Sequence, residues 1–234
     1  MKVIESCKIN KRQGIDSPYD IYFIRIEPED LSLSISEVLE ELADLSWLNK
    51  FDKSYVKDSF RSRAQKTCSY IKNKLLDNET NTQLIDKAGE YIVSCLAKKA
   101  LVNSLQHTDI PTMELLGRKI SNNPGFDFYT EKDSIITACE SKYLKGINAY
   151  TSSLSQINRF IKDNKHIDDI ALLYFFATDD GIENLNNGLF AVGAAFSVTE
   201  INSQKLIAGI TNNSDFQELA RSNSIFLLAV NIHE

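Results

Sequence analysis

The spacing of apolar residues changes once along the chain, and that change restricts the fold more than any other feature. Between Ser34 and Leu105 apolar side chains recur every three or four positions, the period of a helix with one buried face. Ile35, Val38, Leu39, Leu42, Leu45 and Leu48 predict a helix over 34–49, with Ser34 and Glu37 as a capping box. Val56, Phe60, Ala64, Cys68, Ile71 and Leu75 predict a second over 53–76. Leu84, Ala88, Ile92, Cys95, Leu96 and Ala100 predict a third over 82–105. Beyond Gly125 the elements shorten. Residues 125–129 and 134–143 read as two strands joined by 130–133, followed by a helix over 146–163 that buries Ile147, Tyr150, Leu154, Ile157 and Ile161. The segments 20–27, 170–177 and 224–232 have strand length and apolar or β-branched content.

The order helix, strand, strand, helix, strand predicts an α/β fold, a mixed sheet flanked by helices with a helical N-terminal part. The turn-like DNETNT at 77–82 places the best internal boundary. It separates an N-terminal strand and helical subdomain, 1–80, from a core, 81–234. No internal repeat is present. A length of 234 residues holds one ordinary domain, or a core with a helical appendage, but not two full enzymes.

Several classes are excluded or left unsupported. The longest apolar runs, 170–177 and 189–196, are eight residues each, far short of the roughly 20 that span a bilayer. The opening MKVIESCKINKRQG has no apolar stretch of signal-peptide length, so a cytoplasmic location is expected. Cys7, Cys68, Cys95 and Cys139 form no CxxC pair, and His107, His166 and His233 belong to no HExxH cluster. Cys95 and Cys139 read as core residues. No GxxxxGK[ST] or GxGxxG occurs, so no nucleotide is expected on this chain; if ATP is used, a partner supplies the site.

Charge is unevenly distributed. The total is −6, which disfavours non-specific DNA binding. Residues 167–234 hold nine acids against Lys205 and Arg221, a net of −7, which leaves about +1 for residues 1–166. Within 50–66, Lys50, Lys53, Lys57, Arg61, Arg63 and Lys66 outnumber Asp52 and Asp58. Such a stretch is either a solvated helix face or a track for a phosphate backbone. The aromatic residues of 172–176 read as core, with a base-stacking platform as the alternative.

Chemistry concentrates in 123–143, NPGFDFYTEKDSIITACESKY. Strand alternation points Phe126 and Phe128 one way and Asp127 the other, and puts Glu140 and Lys142 on one face with Ser141 opposite. Paired strands would bring the Asp127 carboxylate to Glu140 and Lys142. Two carboxylates that close repel unless a cation lies between them, and hard oxygen donors favour Mg²⁺ or Mn²⁺. Metal, two acids and a lysine suit phosphodiester hydrolysis, with Lys142 holding the water or stabilising charge on phosphorus. The plain alternative is a solvated strand end with a surface Glu140–Lys142 pair. Asp163-Asn164-Lys165 is a chance match to the same short pattern.

At Asp127, Glu140 and Lys142 the sequence resembles the PD-(D/E)XK nuclease superfamily, in which a helix carrying an acid precedes an Asp at the start of one strand and Glu-x-Lys closes the next. The family's Pro-Asp is loosened here to Pro124-Gly125-Phe126-Asp127. Glu90, in Lys87-Ala88-Gly89-Glu90-Tyr91-Ile92, matches the upstream acid, and Gln156 is similar to a supporting polar residue after the lysine. Across 20–234 the pattern looks most like HamA, the nuclease subunit family of the Hachiman antiphage system. The resemblance implies a restriction-endonuclease-like sheet and a Mg²⁺-dependent deoxyribonuclease. Its metal would be held by Asp127, Glu140, Glu90 and the Ser141 carbonyl. It also implies DNA and a HamB-like helicase-type ATPase as partners. Without it, Glu90 reads as an ordinary helix-face acid. A stand-alone restriction or repair nuclease, and a non-catalytic interaction module on a nuclease scaffold, are the competing readings.

Overall fold

A computed structural model describes residues 1–9, 17–76, 81–117 and 125–232. In chain order the elements are β1 (Lys2–Lys8), β2 (Ile21–Glu27), α1 (Leu31–Ala43), a 3₁₀ turn (Ser46–Lys50), α2 (Ser54–Leu76) and α3 (Asn81–Leu105). Then come β3 (Thr108–Asp109), α4 (Met113–Leu116), β4 (Phe128–Lys132), β5 (Ile135–Lys142) and α5 (Tyr150–Lys162). The chain finishes with α6 (Lys165–Asp168), α7 (Ile170–Leu173), α8 (Asp179–Asn186), β6 (Ala191–Val198), α9 (Ser203–Thr211), α10 (Ser214–Leu219) and β7 (Ser224–Asn231).

Among the described residues seven strands form one mixed sheet in the order β1-β2-β7-β6-β5-β4-β3. The inner four, β2, β7, β6 and β5, run parallel, and β1, β4 and β3 are antiparallel additions at the two edges. Strands covered on both faces carry continuous apolar runs, as AVGAAFSV in β6 does, where every residue is buried. One core, beneath α1 and α3, holds Val38, Leu42, Ile92, Leu96, Phe128 and Leu228. The other, beneath α5, α9 and α10, holds Ile136, Ala138, Leu154, Phe160, Phe196 and Phe216. The sheet runs through both parts of the chain, because β2 from 1–80 pairs with β7 from 81–234; of the boundary stretch, 77–80 lies outside the described residues.

Several elements depart from the sequence reading for identifiable reasons. The first helix begins at Leu31, not Ser34. Asp30 is its N-cap, accepting from the Leu33 N–H at 2.9 Å, while Ser34 sits inside the helix and donates to the Asp30 carbonyl. That helix ends at Ala43, and the apolar stripe continues because the 3₁₀ turn keeps Leu48 inward at 2% exposure. The β4–β5 connection is two residues, Asp133 and Ser134, both at positive φ (50° and 59°), the geometry of a tight hairpin turn. Thr130 and Glu131, expected in the connection, therefore belong to β4. Ile147 precedes α5 and is 56% exposed rather than buried.

The run 170–177 is not a strand. Tyr174 and Ala177 donate backbone bonds to Ile170 and Leu173, four residues back, which makes α7 and the turn after it. A short apolar run does not by itself distinguish a buried strand from a helical turn. The 189–196 run, by contrast, supplies β6. Cys95 and Cys139 are buried, and His107 is buried with its Nδ1 2.9 Å from Thr130 Oγ1. His233 lies outside the described residues. Among those residues no helix is long and apolar enough to cross a membrane.

Candidate functional site

Asp127 stands where β4 begins. Its N–H donates to the Cys139 carbonyl at 2.9 Å and its carbonyl accepts from Met113 N–H at 3.1 Å. The backbone oxygen is thus turned away from β5. The Asp127 carboxylate takes its place, accepting from the Ser141 N–H at 2.8 Å. The hairpin register ends with Phe128 opposite Cys139, and the Asp127 N–H bonds that same Cys139 carbonyl, so two residues of this strand meet one of β5, as in a β-bulge. Pro124 lies outside the described residues.

Glu140 is on the last turn of pleat of β5 and is 1% exposed. Its carbonyl accepts from the Ser153 hydroxyl of α5 at 3.0 Å, which locks that helix to the strand. A buried carboxylate loses several kcal/mol of hydration that a close cation must offset. Lys142, two residues on and on the same face, supplies it: Nζ lies 2.9 Å from Glu140 Oε1. The same ammonium reaches Glu90 Oε1 at 3.2 Å.

Glu90 arrives by way of Gly89. A Cβ at position 89 would run into the Tyr143 ring, so only glycine allows α3 to pass this close to the end of β5. A second close approach supports the strand itself. Cys139 faces Gly193 of β6 in register, and a Cβ on Gly193 would strike the Cys139 sulfur.

The electrostatics follow. Burial on its own would lower the Lys142 pKa, but Glu140, Glu90 and Asp127 together outweigh it, and the value rises above the ordinary lysine range. Lys142 is therefore an ammonium at neutral pH. It donates hydrogen bonds and cannot accept a proton. The Cys139 thiol is pushed well up by burial, with Asp127 and Glu140 adding to the shift, which makes it inert. Three carboxylates thus act on one ammonium.

The structure brings Asp127, Glu140, Lys142 and Glu90 together. Among the described residues nothing hydrogen-bonds Gln156 to them; it is half-buried on α5, one turn from Ser153. Ser153, Gly89 and Tyr143 are the positioning residues that sequence reasoning missed. Only the small residue before Glu90 and the small polar residue within the α5 stripe gave any signal. Asp127 and Glu140 are hard oxygen donors of the kind Mg²⁺ takes, but Glu140 Oε1 and Glu90 Oε1 both lie against Lys142, at 2.9 and 3.2 Å, and one Asp127 oxygen accepts from the Ser141 N–H. Among the described residues no group of three or more His, Cys, Asp or Glu side chains is arranged to hold a metal.

Compared with family models, with curated proteins and with solved structures, the chain matches none.

Proposed function

We propose that this chain is a Mg²⁺-dependent deoxyribonuclease of PD-(D/E)XK type, the effector of an antiphage complex with a helicase-type ATPase. The observation that carries the reading is the meeting of Asp127, Glu140 and Glu90 around Lys142. The order of elements supports it as well: an acid on α3, an Asp at the start of β4, Glu140-Ser141-Lys142 closing β5, then α5 and the parallel strand β6. That order is the one expected of a restriction-endonuclease-like sheet.

Formal charge argues in the same direction. Three carboxylates and one ammonium leave a local charge of −2, which repels a phosphodiester. Asp127 and Glu140, with the Ser141 carbonyl, would hold the divalent cation that cancels it. When bound, that ion polarises a phosphoryl oxygen and lowers the pKa of a water. Lys142, fixed as an ammonium, donates to the attacking water or to a phosphoryl oxygen as negative charge builds. Glu90 keeps the Lys142 side chain aimed along the strand end. A P–O bond forms to the water oxygen, which gives up a proton to solvent, and the P–O bond to the leaving sugar oxygen breaks, that oxygen taking a proton from solvent.

The test is incubation of the chain, alone and with a helicase subunit, with plasmid DNA and Mg²⁺. Nicking or linearisation is expected, and is expected to vanish in Asp127→Ala, Glu140→Ala and Lys142→Ala. Cutting that persists in both Asp127→Ala and Lys142→Ala ends this reading.

A further inference from the structure

Two features that are far apart in sequence, the basic stretch 50–66 and the aromatic run 174–176, meet on one surface. Phe51 stacks on Phe60 at 5.1 Å, and Phe175 packs edge-on against both at 5.7 and 5.6 Å. Trp47 and Phe176 close the cluster from behind at 5.7 Å. This backing holds the turn after α7 in place, yet Tyr174 remains 58% exposed and Phe175 37% exposed, their rings 5.8 Å apart. Cations lie against the backing cluster. Lys50 Nζ lies 3.8 Å from the centroid of the Phe176 ring, Arg63 lies over Phe60, and Lys53 is exposed at the start of α2. Of the two acids in 50–66, Asp58 is engaged by Arg61 at 2.7 Å.

We propose that this surface, Tyr174 and Phe175 over a ring cluster flanked by Lys50 and Lys53, binds single-stranded nucleic acid. Exposed rings near exposed ammonium groups match unstacked bases on an anionic backbone. A duplex hides its base faces, so it offers the cations a partner but the rings none. An acidic protein partner would answer the charge but not the rings. α7 follows directly on Asp169, whose carboxylate accepts from the Tyr129 hydroxyl at 2.7 Å. The binding does not rest on the nuclease reading.

The experiment is fluorescence anisotropy of the full chain with labelled 20-mers, oligo(dT), oligo(rU) and a duplex, in EDTA so that no cutting occurs. Oligo(dT) or oligo(rU) is expected to bind more tightly than duplex, the two arms deciding between DNA and RNA. Tyr174→Ala should weaken single-strand binding about 5- to 100-fold, the range for losing one stacked base, and Tyr174→Trp should restore it. Lys53→Ala should lower the salt dependence by about one ion. Binding in Tyr174→Ala within twofold of the native chain, or loss of helicase-subunit association in that variant with oligonucleotide binding intact, overturns the proposal. Lys142→Ala keeps the two readings separate. If it cuts plasmid normally, the nuclease assignment falls while the binding surface stands; if it neither cuts nor loses oligonucleotide affinity, both stand.

Discussion

Lys142 and Glu140 form an ion pair at 2.9 Å on one face of β5, the carboxylate 1% and the ammonium side chain 18% exposed. Removing the ammonium strands a buried charge, which costs about 3–5 kcal/mol where one partner of a buried pair is lost. Lys142→Ala should therefore lower the urea midpoint and, if the chain is a nuclease, abolish cutting, and Lys142→Ala/Glu140→Gln should recover most of the stability but none of that activity. The sign with pH follows from the raised lysine pKa. The pair's contribution is fully present below the unfolded-state value and is lost as pH rises through the folded one, so it fades only in strong alkali. A double variant no more stable than Lys142→Ala would contradict the coupling.

His107 supplies a pH dependence at the acid end. Burial, helped by nearby Lys132 and opposed by Asp133, pushes its pKa from the ordinary 6.5 to about 4. The folded protein thus binds fewer protons at this site than the unfolded chain between those values. Stability rises with pH across that window and falls on acidification from 6.5 to 4, by about 3 kcal/mol in all. His107→Gln keeps a partner for Thr130 and does not titrate. It should flatten this part of a urea-denaturation profile measured from pH 7 to pH 4.5. An unchanged acid slope in the variant would assign the effect elsewhere.

Gly89 fixes how near α3 comes to the end of β5, and with it the reach of Glu90 to Lys142. Gly89→Ala adds a methyl where the Tyr143 ring already lies. Helix propensity alone would make alanine more favourable by about 1 kcal/mol. The collision should reverse that sign and cost about 1–3 kcal/mol of overpacking strain. Tyr143→Ala/Gly89→Ala should restore stability relative to Gly89→Ala by opening the space. Thermal melts of the single and double variants decide the point.

What could be read from the residues follows from what each pattern constrains. Long stripes such as Val56-Phe60-Ala64 and Leu84-Ala88-Ile92 specify helices because one face must be buried over many turns. The Glu140–Lys142 pair was legible because period-two alternation carries side-chain direction with it, whereas Phe126 and Phe128, expected on one face, pack into opposite cores because β4 begins only at Phe128. The order of the sheet was not. Nothing in β2 or β7 announces that they pair in parallel across some 200 residues, since both are simply buried. Helix caps turned on one side chain each, as with Asp30 rather than Ser34. Glu90 needed more than sequence: its role depends on a glycine beside it and a ring 54 residues away, a contact no local period encodes.

Arg25 ties β2 to the loop before α9. It is 4% exposed. Nε donates to Asn231 Oδ1 at 3.0 Å, Nη1 to the Ile201 carbonyl at 2.6 Å and Ser203 Oγ at 3.0 Å, and Nη2 to the Glu200 carbonyl at 2.6 Å. β2 is thereby joined to β7 and to the N-terminus of α9 by one planar fork. Lysine keeps the charge but offers a single ammonium on a flexible stem, and it cannot span four acceptors in two directions. Of these acceptors Asn231 is buried, and a buried acceptor left without its donor costs about 1–3 kcal/mol. Arg25→Lys should therefore destabilise the chain by about 1–3 kcal/mol while leaving Asp127, Glu140 and Lys142 in place. At a temperature well below its melting point the variant should cut plasmid at the native rate if the chain is a nuclease. Hydrogen exchange should quicken selectively at 199–205. Protection there equal to that of the native chain would show that the fork does not hold the loop.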